Sequence, residues 1–122
     1  MKYALLIYLD EKQFTALPKE EQNRVHQECG AWHEELVKSG HSVGCKGLQG
    51  TATATTLRER DGKVAIMDGP FAETKEMLGG LETLECRDLD EALGIAKRFP
   101  GLRGGRCAVE VRPEVPGGTC EA

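Results

Sequence analysis

The sequence predicts a single α+β domain in which two β-α-β halves are joined by a hairpin. Three observations carry this. Residues 3–9, Tyr-Ala-Leu-Leu-Ile-Tyr-Leu, are almost continuously apolar and rich in strand formers, as a strand flanked on both sides requires. Two amphipathic helical stripes lie well apart in the chain. Between them, Asp61-Gly62 separates two strand-like runs by the two residues that a tight hairpin favours.

The elements follow in order. After the first strand, residues 10–17 read as a polar connection. Pro18, Glu20 and Glu21 then mark a helix start, with proline tolerated in the first turn and acids at the positive end of the helix dipole. Val25, Cys29, Trp32 and Leu36 recur at spacings of 4, 3 and 4, and Lys38 before Gly40 supplies the stop, so the helix is expected over about 19–39. Residues 41–48 alternate weakly and read as a short strand. The β-branched run from Thr51 to Arg60 reads as the first arm of the hairpin, and residues 63–67 as the second.

Residues 81–86 read as a strand with one buried and one wet face, entered at Gly79-Gly80, with the acidic residues assigned to water. Asp88 and Glu91 form a capping box for a second helix carrying Leu89, Ala92, Leu93 and Ala96, ended by Phe99-Pro100-Gly101. A last half-buried strand covers 106–112, with Cys107, Val109 and Val111 on one face. The domain is assigned to residues 1–113, and 114–122, with two prolines and two glycines, to a flexible tail. This order is the ferredoxin-like pattern with an added hairpin. Two helices cover one face of the sheet, and the other, uncovered face is expected to be buried against a second copy, giving a homodimer.

Composition narrows the function. The 122 residues hold 16 basic and 20 acidic side chains, a net charge of -4 without a basic cluster, so no nucleic-acid partner is expected. No run approaches the ~18 apolar residues of a membrane span, and the N-terminal apolar run is short and leads straight into Asp10-Glu11, so it is read as a strand and not a signal peptide. Five cysteines at irregular spacings, with no Cys-x-x-Cys, suggest reduced thiols in the cytoplasm.

The stretch that stands out is Asp68-Gly69-Pro70-Phe71-Ala72-Glu73-Thr74-Lys75-Glu76. Its Asp-Gly-Pro is ordinary turn chemistry. Phe71 in a turn, followed by both charge signs and a hydroxyl, exceeds what a turn requires and fits a pocket lining. Asp68 and Glu73 are the candidate acid-base residues, and Phe71, Thr74 and Lys75 the candidate ligand contacts, for a small polar or anionic metabolite. Other groups weigh less. His26, Cys29 and His33 share a helical face, yet Cys29 belongs to the apolar stripe and no further ligand is evident, so no metal or other cofactor is expected. Cys45, Cys86 and Cys107 read as small core residues, and Cys120 lacks a neighbouring base. Residues 101–106 are Gly-rich and basic but follow a helix, where a dinucleotide loop precedes one, and read as a connection.

With Met67 before it and Leu78-Gly79-Gly80 after it, this stretch resembles the signature of the DGPF-domain proteins within the YCII-related family, and blocks at 1–8, 52–56, 88–92 and 109–113 resemble the family's other segments. The resemblance implies a ferredoxin-like fold, pairing into a dimeric α/β barrel, and a cleft between sheet and helices. It also implies a link to extracytoplasmic-function sigma factors, which makes a regulatory or interaction module without turnover the alternative function. The family has no established reaction. A His-Asp pair proposed as active in relatives has no clear counterpart, because neither His26 nor His33 falls at its position.

Overall fold

The computed structural model describes residues 1–118 and 120. Its main sheet is antiparallel, in the order β2 (Ser42–Gly47), β5 (Met77–Glu85), β1 (Lys2–Leu9) and β6 (Cys107–Pro113). The helices α2 (Lys19–Lys38) and α3 (Leu89–Ala96) connect β1 to β2 and β5 to β6, which makes two interleaved β-α-β units. This is the ferredoxin-like α+β arrangement expected from the element order. The hairpin β3 (Thr55–Arg60) and β4 (Lys63–Asp68) forms its own two-stranded sheet. At its tip Asp61 and Gly62 have φ of 50° and 76°, the paired positive angles of a type I′ turn. Its outward face leaves Leu57, Val64 and Ile66 largely exposed.

The core lies between the helices and one sheet face. Tyr3 and Leu5 of β1, Leu84 of β5 and the following Cys86 meet Trp32 and Leu36 of α2 and Ala92, Ile95 and Ala96 of α3. Leu5 and Leu84 are fully buried, and Trp32 stacks edge-on against Phe99 with ring centroids 5.1 Å apart. The opposite sheet face carries Ala4, Leu6 and Tyr8 of β1, with Leu6 directly opposite Leu81.

Several expectations are corrected. Residues 10–17 contain a short helix α1 (Glu11–Thr15), because Asp10 accepts the Gln13 N–H at 3.1 Å and caps it. Five residues are too few to show an apolar stripe. The run from Thr51 does not begin as a strand: Thr51–Thr53 is a 3₁₀ turn held by the Glu11 carboxylate, which accepts the Thr51 N–H at 3.1 Å and its hydroxyl at 3.0 Å. Strand β5 starts at Met77, so Gly79-Gly80 lies inside it. There Ile7 pairs with Gly80 and Tyr8 with Leu78, leaving Gly79 as the extra residue of a bulge. A Cβ on Gly79 would sit 2.2 Å from Leu9 Cδ2, and one on Gly80 3.3 Å from the Lys46 carbonyl, which accounts for both glycines.

The last strand is Cys107–Pro113, one residue later at each end than expected, and just beyond it the Glu114 N–H donates to Lys2 O at 2.9 Å. Of the tail expected over 114–122, residues 119, 121 and 122 lie outside the described residues.

Two glycines separate packing from propensity. Gly101 is buried, and a Cβ there would meet Phe99 Cε2 at 2.5 Å and Cys107 Sγ at 2.9 Å, whereas one on Gly94 in α3 meets nothing within 4 Å. Gly101→Ala is therefore expected to lower stability by about 1–3 kcal/mol through overpacking, and Gly94→Ala to raise it by about 0.5–1 kcal/mol. Urea denaturation midpoints at constant m check both.

Candidate functional site

Two adjoining clefts open where β1 exits toward α1 and the chain returns from the hairpin through residues 69–76. The first, about 630 Å³, has apolar walls from Leu48, Phe71, Met77 and Leu78, with Tyr8 at its side. The Tyr8 hydroxyl donates to Glu110 Oε1 at 3.3 Å, and partial desolvation together with that carboxylate pushes the phenol's pKa up. The second cleft, about 530 Å³, is lined by Asp10, Glu11, Lys12, Glu73 and Lys75. Thr51, Pro70, Thr74 and Met77 border both clefts.

The chain builds this corner by turn chemistry. Gly69, at φ 99°, takes an angle open to glycine, and its N–H donates to Ala54 O at 2.8 Å while its carbonyl accepts the Thr56 hydroxyl at 2.8 Å. The reversal is thereby fixed to the base of the hairpin. The Thr74 hydroxyl donates to Glu76 O at 2.6 Å, which holds the second half of the loop.

Phe71, Glu73, Thr74 and Lys75 are all on this loop: Phe71 and Thr74 face the first cleft, and Glu73, Thr74 and Lys75 the second. Asp68 ends β4 opposite Thr55, is exposed, and lines neither cleft. Asp10 and Glu11 are engaged with the backbone amides of Gln13 and Thr51. Among the described residues, no ion pair engages Lys12, Glu73 or Lys75.

A second polar cluster, absent from the sequence reading, lies between α2 and the sheet. Glu82 of β5 is only 1% exposed. It faces the helices because it shares its strand face with Leu84, two residues on. His33 Nδ1 stands 2.7 Å from Glu82 Oε2, the Ser42 hydroxyl donates to Oε1, and the Cys45 sulfur lies within 4.8 Å of the imidazole and the carboxylate. Ser42 and Cys45 reach one carboxylate although three residues apart, because Ser42 pairs with Leu84 and Gly44 with Thr83, leaving Val43 as a bulge. Without it, the period-2 alternation would send them to opposite faces.

The helical triplet His26, Cys29 and His33 does not converge. His26 packs against Phe14 with centroids 5.3 Å apart, Cys29 packs against the core, and His33 turns to Glu82. Burial pushes the Cys29 thiol up to about 11, with Cys107 nearby adding to the shift, and the thiols of Cys86 and Cys107 are also raised, first by burial. None of the three is primed as a nucleophile. Cys45, by contrast with its expected core role, is exposed on the edge strand β2.

Removing the carboxylate shared by His33 and Ser42 tests the cluster's structural weight. Glu82→Ala is expected to cost about 2–3 kcal/mol, from the orphaned donors and the void. Ser42→Ala, at the partly buried margin, should cost about 1 kcal/mol. Equal losses in a denaturant titration would show that the carboxylate is not the hub.

No helix among the described residues is long and apolar enough to cross a membrane. The family model of the YCII-related domain matches residues 1–115. An uncharacterized protein of Rhizobium meliloti (strain 1021) is similar to this chain, at 41% identity over 113 residues covering 93% of this chain and 91% of that protein. With the fold, these matches place the chain in the YCII-related family.

Proposed function

We propose that the paired clefts bind a small metabolite with an apolar body and an anionic end, and that Glu73 serves as the acid-base group if the bound molecule is turned over. The observation that carries this reading is the pair of ammonium groups in the second cleft, which face three carboxylates, Asp10, Glu11 and Glu73, without pairing to any of them. The Asp10 and Glu11 carboxylates are engaged with backbone amides, while Lys12 and Lys75 have no ion-pair partner among the described residues. Two free ammonium groups beside an apolar chamber favour a carboxylate or phosphate held at one end, with the remainder against Phe71, Met77 and Leu78. Asp68 stands outside both clefts, so the acid-base role is kept for Glu73.

The resemblance of residues 68–76 to the DGPF proteins belongs to the same reading, since that stretch is the loop bordering both clefts. Thermal unfolding against a panel of small aromatic and aliphatic carboxylic acids and their phosphate analogues tests it. A ligand at a hundred times its Kd stabilises by about 2.7 kcal/mol, a rise of several degrees. The doubly substituted Lys12→Ala, Lys75→Ala chain is expected to lose that rise and Asp68→Ala to keep it. A panel without effect, or a rise that survives the double substitution, would overturn the reading.

The uncovered sheet face supports a homodimer. Its centre is Leu6 against Leu81 and Ala4 against Thr83, with Glu110 and Arg112 toward the β6 edge. An apolar centre with a polar margin suits an interface of two identical sheet faces. Light scattering is expected to give twice the 13.3 kDa chain mass, and Leu81→Glu to give the single chain. A monomeric wild-type protein at micromolar concentration would contradict this.

A further inference from the structure

We propose that His33, Cys45 and Glu82 form a binding site for one divalent transition-metal ion of borderline softness, with Zn²⁺ the chemical match. One donor atom from each residue lies within 4.8 Å of the others. The set combines an imidazole nitrogen, a thiolate sulfur and a carboxylate oxygen, the three ligand types of protein zinc sites. A hard ion such as Mg²⁺ is disfavoured by the nitrogen and the sulfur. This set is distinct from the helical triplet weighed in the sequence, of which only His33 takes part. None of its members lines either cleft, so the inference stands independently of the proposed metabolite site.

One pair of ligand atoms is already near the spacing a metal sets. His33 Nδ1 and Glu82 Oε2 are 2.7 Å apart, whereas two such ligands on a tetrahedral Zn²⁺ lie about 3.3 Å apart, given metal-ligand bonds near 2.0–2.1 Å. Withdrawal of the half-exposed imidazole by a fraction of an ångström closes the difference. Ser42 holds Oε1 of the same carboxylate, which orients Oε2 toward the imidazole, the arrangement by which outer hydrogen bonds fix a metal-binding carboxylate. The Val43 bulge brings Cys45 to the same spot from the edge strand.

Cys45 is exposed, so a fourth coordination position opens to solvent and would take water or an exogenous ligand. Burial and Glu82 raise the free thiol's pKa, and a bound cation reverses that balance by taking the sulfur as thiolate with release of its proton. The ligands come from α2, β2 and β5, so the ion ties the long helix to the sheet edge.

Co²⁺ titration of the reduced, metal-free full chain reads the site directly. The expected result is one equivalent bound with thiolate-to-cobalt charge-transfer absorption in the near ultraviolet and the intense visible bands of four-coordinate Co²⁺, both bleached by Zn²⁺. Cys45→Ser, which replaces the thiol by a small polar group, should lose the charge-transfer band, and His33→Gln should weaken binding roughly ten-fold or more. Zn²⁺ should raise the melting temperature of the wild type but not of Cys45→Ser. Absence of the band, its survival in Cys45→Ser, or unchanged affinity in His33→Gln would overturn the proposal.

Discussion

Glu82 lies inside the protein because Leu84 does. Side chains two apart on a strand share a face, so the register that seats Leu84 at the centre of the core carries the carboxylate inward with it. An ionisable group so placed is tolerated only where it is hydrogen-bonded. The structure supplies His33 from the long helix and Ser42 from the edge strand, with the Cys45 sulfur close by. The position of α2 over the sheet and the irregular course of β2 therefore answer the same requirement. The apolar stripe of α2, Trp32 and Leu36, sets the helix down, and His33 beside Trp32 fixes its rotation at one polar point.

Each of the two polar regions lies beside an irregularity in otherwise regular pairing. The extra residue in β2 turns Ser42 and Cys45 to a common face, and the extra residue in β5, Gly79, lets Leu9 pack close as β1 runs out toward the clefts. A regular ladder would keep the sheet intact but would scatter these side chains over both faces. The glycines at 79 and 80 mark where backbone must come close, and their role is steric, with both in extended strand.

The fold was legible because its signals are local. The apolar first strand, the stripe from Val25 to Leu36, the Asp61-Gly62 turn and the Asp88 cap, which accepts the Glu91 N–H at 2.9 Å, act within a few residues of chain. The loop at 69–76 was legible for the same reason, being an aromatic and several charges concentrated where a turn was due. What escaped was set by partners remote in sequence. Thr51 turns instead of extending because Glu11 binds it, and Glu82 reads as a solvated acid until the helix and a bulged strand close around it. Gly79-Gly80 marks the bulge in β5 but reads equally as a strand entry, and Val43 carries no such mark for the bulge in β2. The position of Asp68 outside the clefts was likewise beyond local reading, since it depends on β4 ending opposite Thr55 before the loop turns toward the clefts.

The chain leaves the main sheet after β2 and returns to it at β5 through neighbouring points, since the Leu48 N–H donates to the Gly79 carbonyl at 2.9 Å. Everything between, the 3₁₀ turn, the hairpin and the 69–76 loop, is an excursion whose two ends are clasped together by the sheet itself. Such a closed insertion can change in length and lining without moving the strands that carry it, because loop closure costs little once the ends are fixed. The insertion's share of the cleft walls can thus vary in length and chemistry, while Tyr8, Met77 and Leu78, supplied by the strands themselves, stay where the sheet puts them.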